Sequence, residues 1–411
     1  MARSGYREAV ACFEQALVAL RRLPERQDTL EQAIGLRFDL RNALVPLGEQ
    51  APIFDHLREA ETLAQVLDDR QRLGQVAMYM AEYFRQMNAL DPALEAGQRA
   101  RALATTLGDV GLQVVANFHI GTVYYEQGDY CRAIDGLGWN VATLQGDLIR
   151  ERFGMTGLPS VLSRVYLSWS LAELGTFADA TARGEEGVRI AEAADHPFSR
   201  IWAYTGIGHL YLNKGDVHRG IPVLKQGLEL CQTWDIPTLF PQVRRALGTA
   251  YALSGRVPEA LPLLEQAVSQ GRRGGHALYL VHLSRAYLLA GRTEEALARA
   301  QQALCLAQDH KQRGYQAYAL CLLGDIAAQR DPPESVLAAA HAQQALTLAE
   351  ELGMRPLQAH CHRGLGTLYM QMSQAEQARA ELSMAIAMYQ AMAMTFWLPK
   401  AEAALAQVDG R

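Results

Sequence analysis

The residues with the most obvious capacity for chemistry are His360-Cys361-His362, because imidazole and thiolate side chains are common zinc ligands. On a helix, residues two positions apart point about 200° away from each other, so the two imidazoles could not bind one ion. A carboxylate pair such as Glu294-Glu295 lies on a predicted solvent-facing surface, where hydration of the charges is a sufficient explanation. We therefore predict no metal site and no cofactor.

The familiar catalytic motifs are missing from the sequence as well. There is no GxxxxGK(S/T) phosphate-binding loop, no GxSxG nucleophile turn and no HExxH zinc motif. The 39 Lys+Arg and 44 Asp+Glu residues give a net charge of −5, whereas nucleic acids and anionic membranes require a concentrated basic surface. The sequence thus predicts a chain that is not an enzyme and that has neither a nucleic-acid nor a membrane partner.

The cysteines and the N-terminal residues indicate the compartment. None of the six cysteines forms a CxxC pair, and all fall within helix-like apolar patterns, where Cys behaves as a small apolar residue. The N-terminus lacks the apolar stretch of a secretion signal, and no window approaches the roughly 18 apolar residues of a membrane span. We therefore predict a cytoplasmic protein.

The elements that would position a site are predicted from a phrase that recurs along the chain: an aliphatic residue, a small residue, two variable residues and Tyr. Gly or Ser follows four residues later, and Ala or Gly five residues after that. The phrase occurs at Ile120-Gly121…Tyr124, Ile207-Gly208…Tyr211, Leu247-Gly248…Tyr251, Leu283-Ser284…Tyr287 and Leu365-Gly366…Tyr369. Its spacing predicts a helix with one packed face, a tight turn and a closely approaching partner helix.

The turn glycines set the period of the repeat. Gly175, Gly215 and Gly255 follow one another at intervals of 40 residues, enough for two helices of about 17 residues each. The segment 146–160 interrupts this period; it is either a second candidate binding surface or a cover over neighbouring helices. The predicted units cover residues 1–27 (partial), 28–68, 69–108, 109–147, 148–195 with the insertion, 196–235, 236–273, 274–311, 312–353 and 354–393, and a capping helix covers 394–411.

The recurring Gly, Tyr, Gly and Ala positions resemble the tetratricopeptide repeat family over nearly the whole chain, although that family's usual unit has 34 residues. Units of about 40 residues resemble the C-terminal arrays of bacterial signalling proteins, namely LuxR-type regulators similar to the maltose activator and proteins joining a class III nucleotide cyclase domain to an AAA-type ATPase. The segments 36–42 and 393–399 strengthen the likeness to the cyclase-linked group. The resemblance implies an all-α, right-handed superhelical solenoid of antiparallel helix pairs.

In this family the first helix of each unit lines a concave groove, at positions three before, one after and four after the small residue. Carried over to this chain, together with Trp202 one helical turn earlier, these positions give candidate ligand contacts. They are Glu82, Arg85, Thr122, Tyr125, Trp169, Trp202, His209, Arg245, Arg285 and Asp325. The aromatic members and the arginines beyond them predict a groove with an apolar and a basic stretch. The alternative is that the aromatic side chains only pack helices together.

The leading functional interpretation is a non-enzymatic scaffold that binds a protein or peptide segment in this groove. Because the first unit is incomplete, the chain is expected to be the regulatory repeat region of a larger bacterial signalling protein. The alternative is a sensor that binds a small effector molecule in the same groove.

Overall fold

The computed structural model describes residues 2–47, 49–271 and 276–409 of the chain. These residues form 20 α-helices and two short 3₁₀ turns, and they contain no β-strand. Consecutive helices of residues 2–107, and likewise those of residues 130–409, pack side by side as antiparallel pairs. The predicted fold class, an all-α solenoid of helix pairs, is therefore confirmed. None of the described helices combines the length and the apolar content that a membrane span requires.

Residues 1–123 form one compact unit. Its helices are α1 (Ala2–Leu20), α2 (Gln27–Leu47), α3 (Gln50–Val66), α4 (Arg70–Gln86), α5 (Leu90–Leu107) and α6 (Val110–Gln127), whose last residues belong to the next unit. The core between α2, α3 and α4 contains the fully buried side chains of Ile34, Leu40, Leu57 and Val76. Burial of this apolar surface is the main force that holds the helices together.

Residues 124–411 form a second compact unit. Its helices are α7 (Tyr130–Thr143), α8 (Pro159–Glu173), α9 (Phe177–Ala193), α10 (Pro197–Lys214), α11 (Val217–Thr233), α12 (Phe240–Leu253), α13 (Val257–Gln270), α14 (His276–Leu289), α15 (Thr293–Asp309), α16 (Arg313–Gln329), α17 (Ser335–Glu351), α18 (Arg355–Gln371), α19 (Ala375–Ala391) and α20 (Leu398–Asp409). The prediction of one continuous array stays a prediction. Its boundary between 273 and 274, and its last two residues, lie outside the described residues.

The small residue of the repeated phrase is what allows the two helices of a pair to approach. A Cβ atom added at Gly208 on α10 would lie 2.5 Å from Cγ of Leu224 on α11, and one added at Gly248 on α12 would lie 2.7 Å from Cγ of Leu264 on α13. Both leucines are almost completely buried. A larger residue would therefore force the helices apart or displace a core side chain.

The second unit closes on itself through contacts between its early turns and its C-terminal segment. Gly175, in the turn after α8, has φ +80° and would place a Cβ 2.5 Å from Sδ of Met392. Gly215, in the turn after α10, has φ +93° and would place a Cβ 2.7 Å from Cβ of Phe396. These turns need glycine both for the left-handed backbone and for the close approach. The helices between them therefore surround a common interior.

The inserted segment 146–160 is tied to the helices beside it. The Ser160 hydroxyl donates to the Ile149 carbonyl at 2.6 Å, and the Leu158 backbone N–H donates to the Ser199 hydroxyl at 2.9 Å. These bonds hold the segment against α8 and α10.

Candidate functional site

The first helices of the repeats in the second unit, from the end of α6 to α18, surround a cavity of about 150 Å³. Side chains from α6, α8, α10, α12, α14, α16 and α18 line it, together with Trp397 just before α20. Seven helices far apart in sequence thus contribute to one interior space.

Aromatic side chains form one wall of this space. The ring centroids of Tyr125 and Trp169 lie 5.9 Å apart, those of Trp169 and Trp202 lie 6.1 Å apart, and those of Trp169 and His209 lie 5.3 Å apart. The Trp169 indole N–H donates to the Gly206 carbonyl at 3.0 Å, which fixes the ring. Tyr125 and His209 face the cavity, and the two tryptophans pack behind them. The wall is rigid, apolar and able to stack against a flat group.

Another part of the lining carries charged side chains. Arg285 on α14 donates to Asp325 on α16 at 2.8 Å, and both line the cavity. The guanidinium of Arg363 on α18 lies 5.9 Å from the ring centroid of Trp397, within range of a cation–π contact. Two guanidinium groups and one carboxyl group therefore stand close together in this part of the lining.

A buried carboxyl group, Glu173 at the end of α8, also lines the cavity. It accepts a hydrogen bond from the Tyr318 hydroxyl at 2.7 Å. Burial disfavours the charged form and raises the pKa of Glu173 to about 7, although the bond from Tyr318 acts in the opposite direction. This carboxyl group therefore changes its protonation state near neutral pH.

Three histidines of the lining are held neutral. Burial, reinforced by the charge of Arg245, lowers the pKa values of His209 and His282 well below 6.5. The pKa of His360 is lowered in the same way, mainly by burial and then by Arg363. Neutral imidazoles in this position can donate or accept hydrogen bonds without adding charge.

The structure separates the residues of the His360-Cys361-His362 motif. Nδ1 of His360 lies 2.7 Å from the Tyr389 hydroxyl, whereas Nδ1 of His362 lies 2.6 Å from a carboxylate oxygen of Glu381. Cys361 is buried. Within the described part of the chain, no group of three or more His, Cys, Asp or Glu side chains is arranged to hold a metal ion.

The predicted contact residues fall into three groups. Four of them line the cavity, namely Tyr125, His209, Arg285 and Asp325. Trp169, Trp202 and Arg245 belong to the same unit and lie around its lining; Arg245 is 1% exposed.

The remaining three predicted residues, Glu82, Arg85 and Thr122, belong to residues 1–123. Glu82 is ion-paired with Arg41, and the buried Thr122 hydroxyl donates to the His119 carbonyl at 2.8 Å. The ligand contacts assigned to all ten residues remain predictions.

The family profile of the tetratricopeptide repeat matches residues 203–233, which comprise most of α10 and all of α11. This segment is similar to a tetratricopeptide repeat. No curated protein matches the sequence. The Gly208 packing position and the Gly215 turn lie inside the matched repeat, so the family unit coincides with the packing described above.

Solved structures share the repeat architecture over most of the chain. A Rap protein complexed with competence and sporulation factor superposes with a TM-score of 0.61 at 15% identity, covering 85% of this chain and 97% of that one. The Rap conjugation gene regulator of plasmid pLS20, in complex with the Phr* peptide, gives 0.54 at 14% identity, with 87% and 95% covered. Aspartyl phosphate phosphatase F from Bacillus subtilis gives 0.50 at 16% identity, with 84% and 90% covered. At these identities the likeness shows the fold.

Several side chains that line the cavity were not among the predicted contacts, although they lie at equivalent positions of the repeat. Trp202 lies six positions before Gly208, and the equivalent positions in other repeats are Leu278, Tyr318 and His360, all of which line the cavity. The position three before the small residue yields Cys321 and Arg363, which line it as well. Both signals are present in the sequence. Glu173 follows neither spacing and is evident only from the structure.

Proposed function

We propose that this chain is a non-enzymatic binding protein that takes a protein or peptide segment into the cavity of residues 124–411. The observation that carries the proposal is the convergence of seven helices on one partly enclosed space with an aromatic wall and a charged wall. Concave sites with apolar lining and a few fixed polar groups are the usual geometry of ligand recognition.

The peptide assignment has support from the similar folds. One similar Rap protein was solved with competence and sporulation factor, and the conjugation regulator was solved with the Phr* peptide. We extend the proposal to the biological context: the chain acts as the regulatory repeat region of a larger bacterial signalling protein. That extension rests on the 40-residue period and its likeness to regulatory arrays.

A small effector molecule is the second candidate ligand, and the size of the cavity favours it. Pockets for drug-sized ligands commonly measure about 300–1,000 Å³, whereas a cavity of about 150 Å³ holds a molecule the size of benzene. A peptide would therefore place one side chain or one terminus inside, while its remainder stays outside. A small effector could be enclosed completely.

A thermal-shift screen of the full chain separates the two candidates. Synthetic peptides form one arm and common metabolites the other, and a ligand at 100 times its Kd should raise Tm by roughly 3 °C. A shift in the peptide arm supports the first candidate, and a shift confined to metabolites supports the second. Silence in both arms, or hydrolysis of ATP or GTP by the pure protein, would contradict the proposal.

A further inference from the structure

The Arg245 side chain on α12 is buried, and part of its guanidinium has no hydrogen-bond partner among the described residues. It is 1% exposed, and neither Nε nor Nη1 has a hydrogen-bond partner among the residues that the structure describes. A guanidinium remains protonated under all conditions in which proteins fold. Burying such a charge is strongly unfavourable unless another group neutralises and hydrogen-bonds it. The fold thus holds a cation in place at a substantial energetic cost.

Arg245 lies beside residues that line the cavity. It lies one helical turn before Thr249, which lines the cavity, and its guanidinium is 5.6 Å from the ring centroid of Tyr279. Its charge also acts on the lining side chains of His209 and His282, whose pKa values it lowers. The guanidinium therefore stands among lining groups contributed by α10, α12 and α14.

The two carboxyl groups that line the cavity are engaged elsewhere. Asp325 accepts from Arg285 at 2.8 Å. Glu173 accepts from Tyr318, and its raised pKa is the opposite of what a neighbouring guanidinium would produce. Neither group therefore serves as the counter-ion of Arg245.

We propose that the cavity binds its ligand through a carboxylate group that pairs with Arg245. This assignment rests on the proposed function, because it names the chemical class of the ligand that the cavity takes. Carboxylate oxygens match the two-pronged donor geometry of a guanidinium, and a single negative charge balances a single buried cation. Nδ1 of His209 has no hydrogen-bond partner among the described residues either, so it offers a second contact beside the aromatic wall.

Benzoate is a suitable probe, because it joins one carboxylate to a ring that a cavity of about 150 Å³ accommodates. Calorimetric titration of the full chain compares benzoate with benzamide, its uncharged analogue, and with phenyl phosphate, which carries a second charge near neutral pH. We expect benzoate to bind most tightly of the three. Equal binding of benzamide would overturn the pairing with a charge, and tighter binding of phenyl phosphate would overturn the assignment to a carboxylate.

The variant Arg245→Met removes the charge while retaining a long unbranched side chain. We expect it to weaken benzoate binding roughly 30-fold or more, and to raise Tm in the absence of ligand because an unpaired buried charge is lost. Arg244→Met is the matched control, since Arg244 is the adjacent residue and its guanidinium stacks on Phe240, 4.6 Å from the ring centroid. Arg245→Gln serves as a second variant and should also weaken binding.

The outcomes separate this inference from the proposed function. If wild-type protein binds benzoate and Arg245→Met binds it equally well, or if wild-type protein does not bind benzoate, the Arg245 site is wrong. A peptide or metabolite identified in the thermal-shift screen would leave the proposed function standing in either case. Arg245 has only a structural role if Arg245→Met lowers Tm and if Arg244→Met weakens benzoate binding as much as Arg245→Met does.

Discussion

At the scale of single residues, the second unit buries ionisable groups that ordinary core packing does not require. Glu173 and Arg245 are 4% and 1% exposed, and each lies on or beside the cavity. Burying ionisable groups in a core that binds no ligand is unfavourable. Their presence here therefore indicates that the cavity has a binding role. Glu173 also makes the stability of the fold depend on pH.

The variant Glu173→Gln tests this pH dependence. The folded-state pKa of about 7 lies above the ordinary 4.5, so the stabilisation is complete below about pH 4.5 and is lost as the pH rises through 7. Gln keeps the bond from Tyr318 but cannot ionise. At pH 8 we expect Glu173→Gln to be more stable than wild type by roughly 3 kcal/mol, and at pH 4.5 to be nearly equal to it.

Urea unfolding at pH 4.5, 6 and 8 makes the comparison. Glu192→Gln is the control, since Glu192 is exposed and accepts a bond from Tyr204 at 2.7 Å, the same length as the bond from Tyr318 to Glu173. Its unfolding curves supply the reference for the loss of a surface carboxyl group that accepts a tyrosine hydrogen bond. Parallel curves for Glu173→Gln and wild type would contradict the buried titration.

The repeat spacing predicts residue positions better than residue environments. The distance to the small residue predicts Arg285 and Asp325 as contact residues, and both side chains line the cavity. The same spacing selected Arg245, but only the packed structure shows that its guanidinium is buried beside histidines of two other helices. Such an environment depends on contacts between distant repeats, which a local pattern cannot contain.

At the scale of elements, the turns of the second unit differ although they look alike in sequence. Gly215 and Gly255 both follow a first helix and both have positive φ, +93° and +79°. A Cβ at Gly215 would lie 2.7 Å from Cβ of Phe396, whereas a Cβ at Gly255 would have no atom within 4 Å among the described residues. The turn at Gly215 therefore packs against the C-terminal segment, whereas the turn at Gly255 has open space beside it.

This difference predicts unequal effects of the same substitution. Gly255→Ala should destabilise the protein by roughly 1 kcal/mol, because Ala is strained at positive φ. Gly215→Ala carries the same strain and must also displace Phe396, which adds roughly 1–3 kcal/mol. Denaturant unfolding of both variants measures the difference. Equal losses would mean that the turn after α10 and the C-terminal segment do not pack as described.

The elements themselves were largely predictable from the sequence. The phrase ending at Tyr211 and Gly215 predicts a helix, a turn and a partner helix, and α10 and α11 follow that order. The small residue predicts close packing, which Gly208 and Leu224 show. The contact of Gly215 with Phe396 was not predictable, because the two residues are far apart in sequence and the repeat spacing relates only neighbouring positions.

At the scale of the whole molecule, residues 1–123 and 124–411 are two compact units, and the cavity lies within the second. Its lining extends from Tyr125 near the start of that unit to Trp397 near its end. A binding event in the cavity would therefore act on almost every helix pair of the unit at once. Linkage between binding and folding would make the entire unit more stable when occupied.

The most direct test of the account is to fill the cavity and measure binding. Ala252 is 6% exposed and lines the cavity, whereas Ala298 lies on the exposed face of α15. Calorimetry should use the peptide or metabolite that gives the largest thermal shift, with wild type, Ala252→Phe and Ala298→Phe. Binding inside this cavity predicts that Ala252→Phe loses binding at least tenfold while Ala298→Phe binds like wild type. Unchanged binding by a folded Ala252→Phe variant would contradict it.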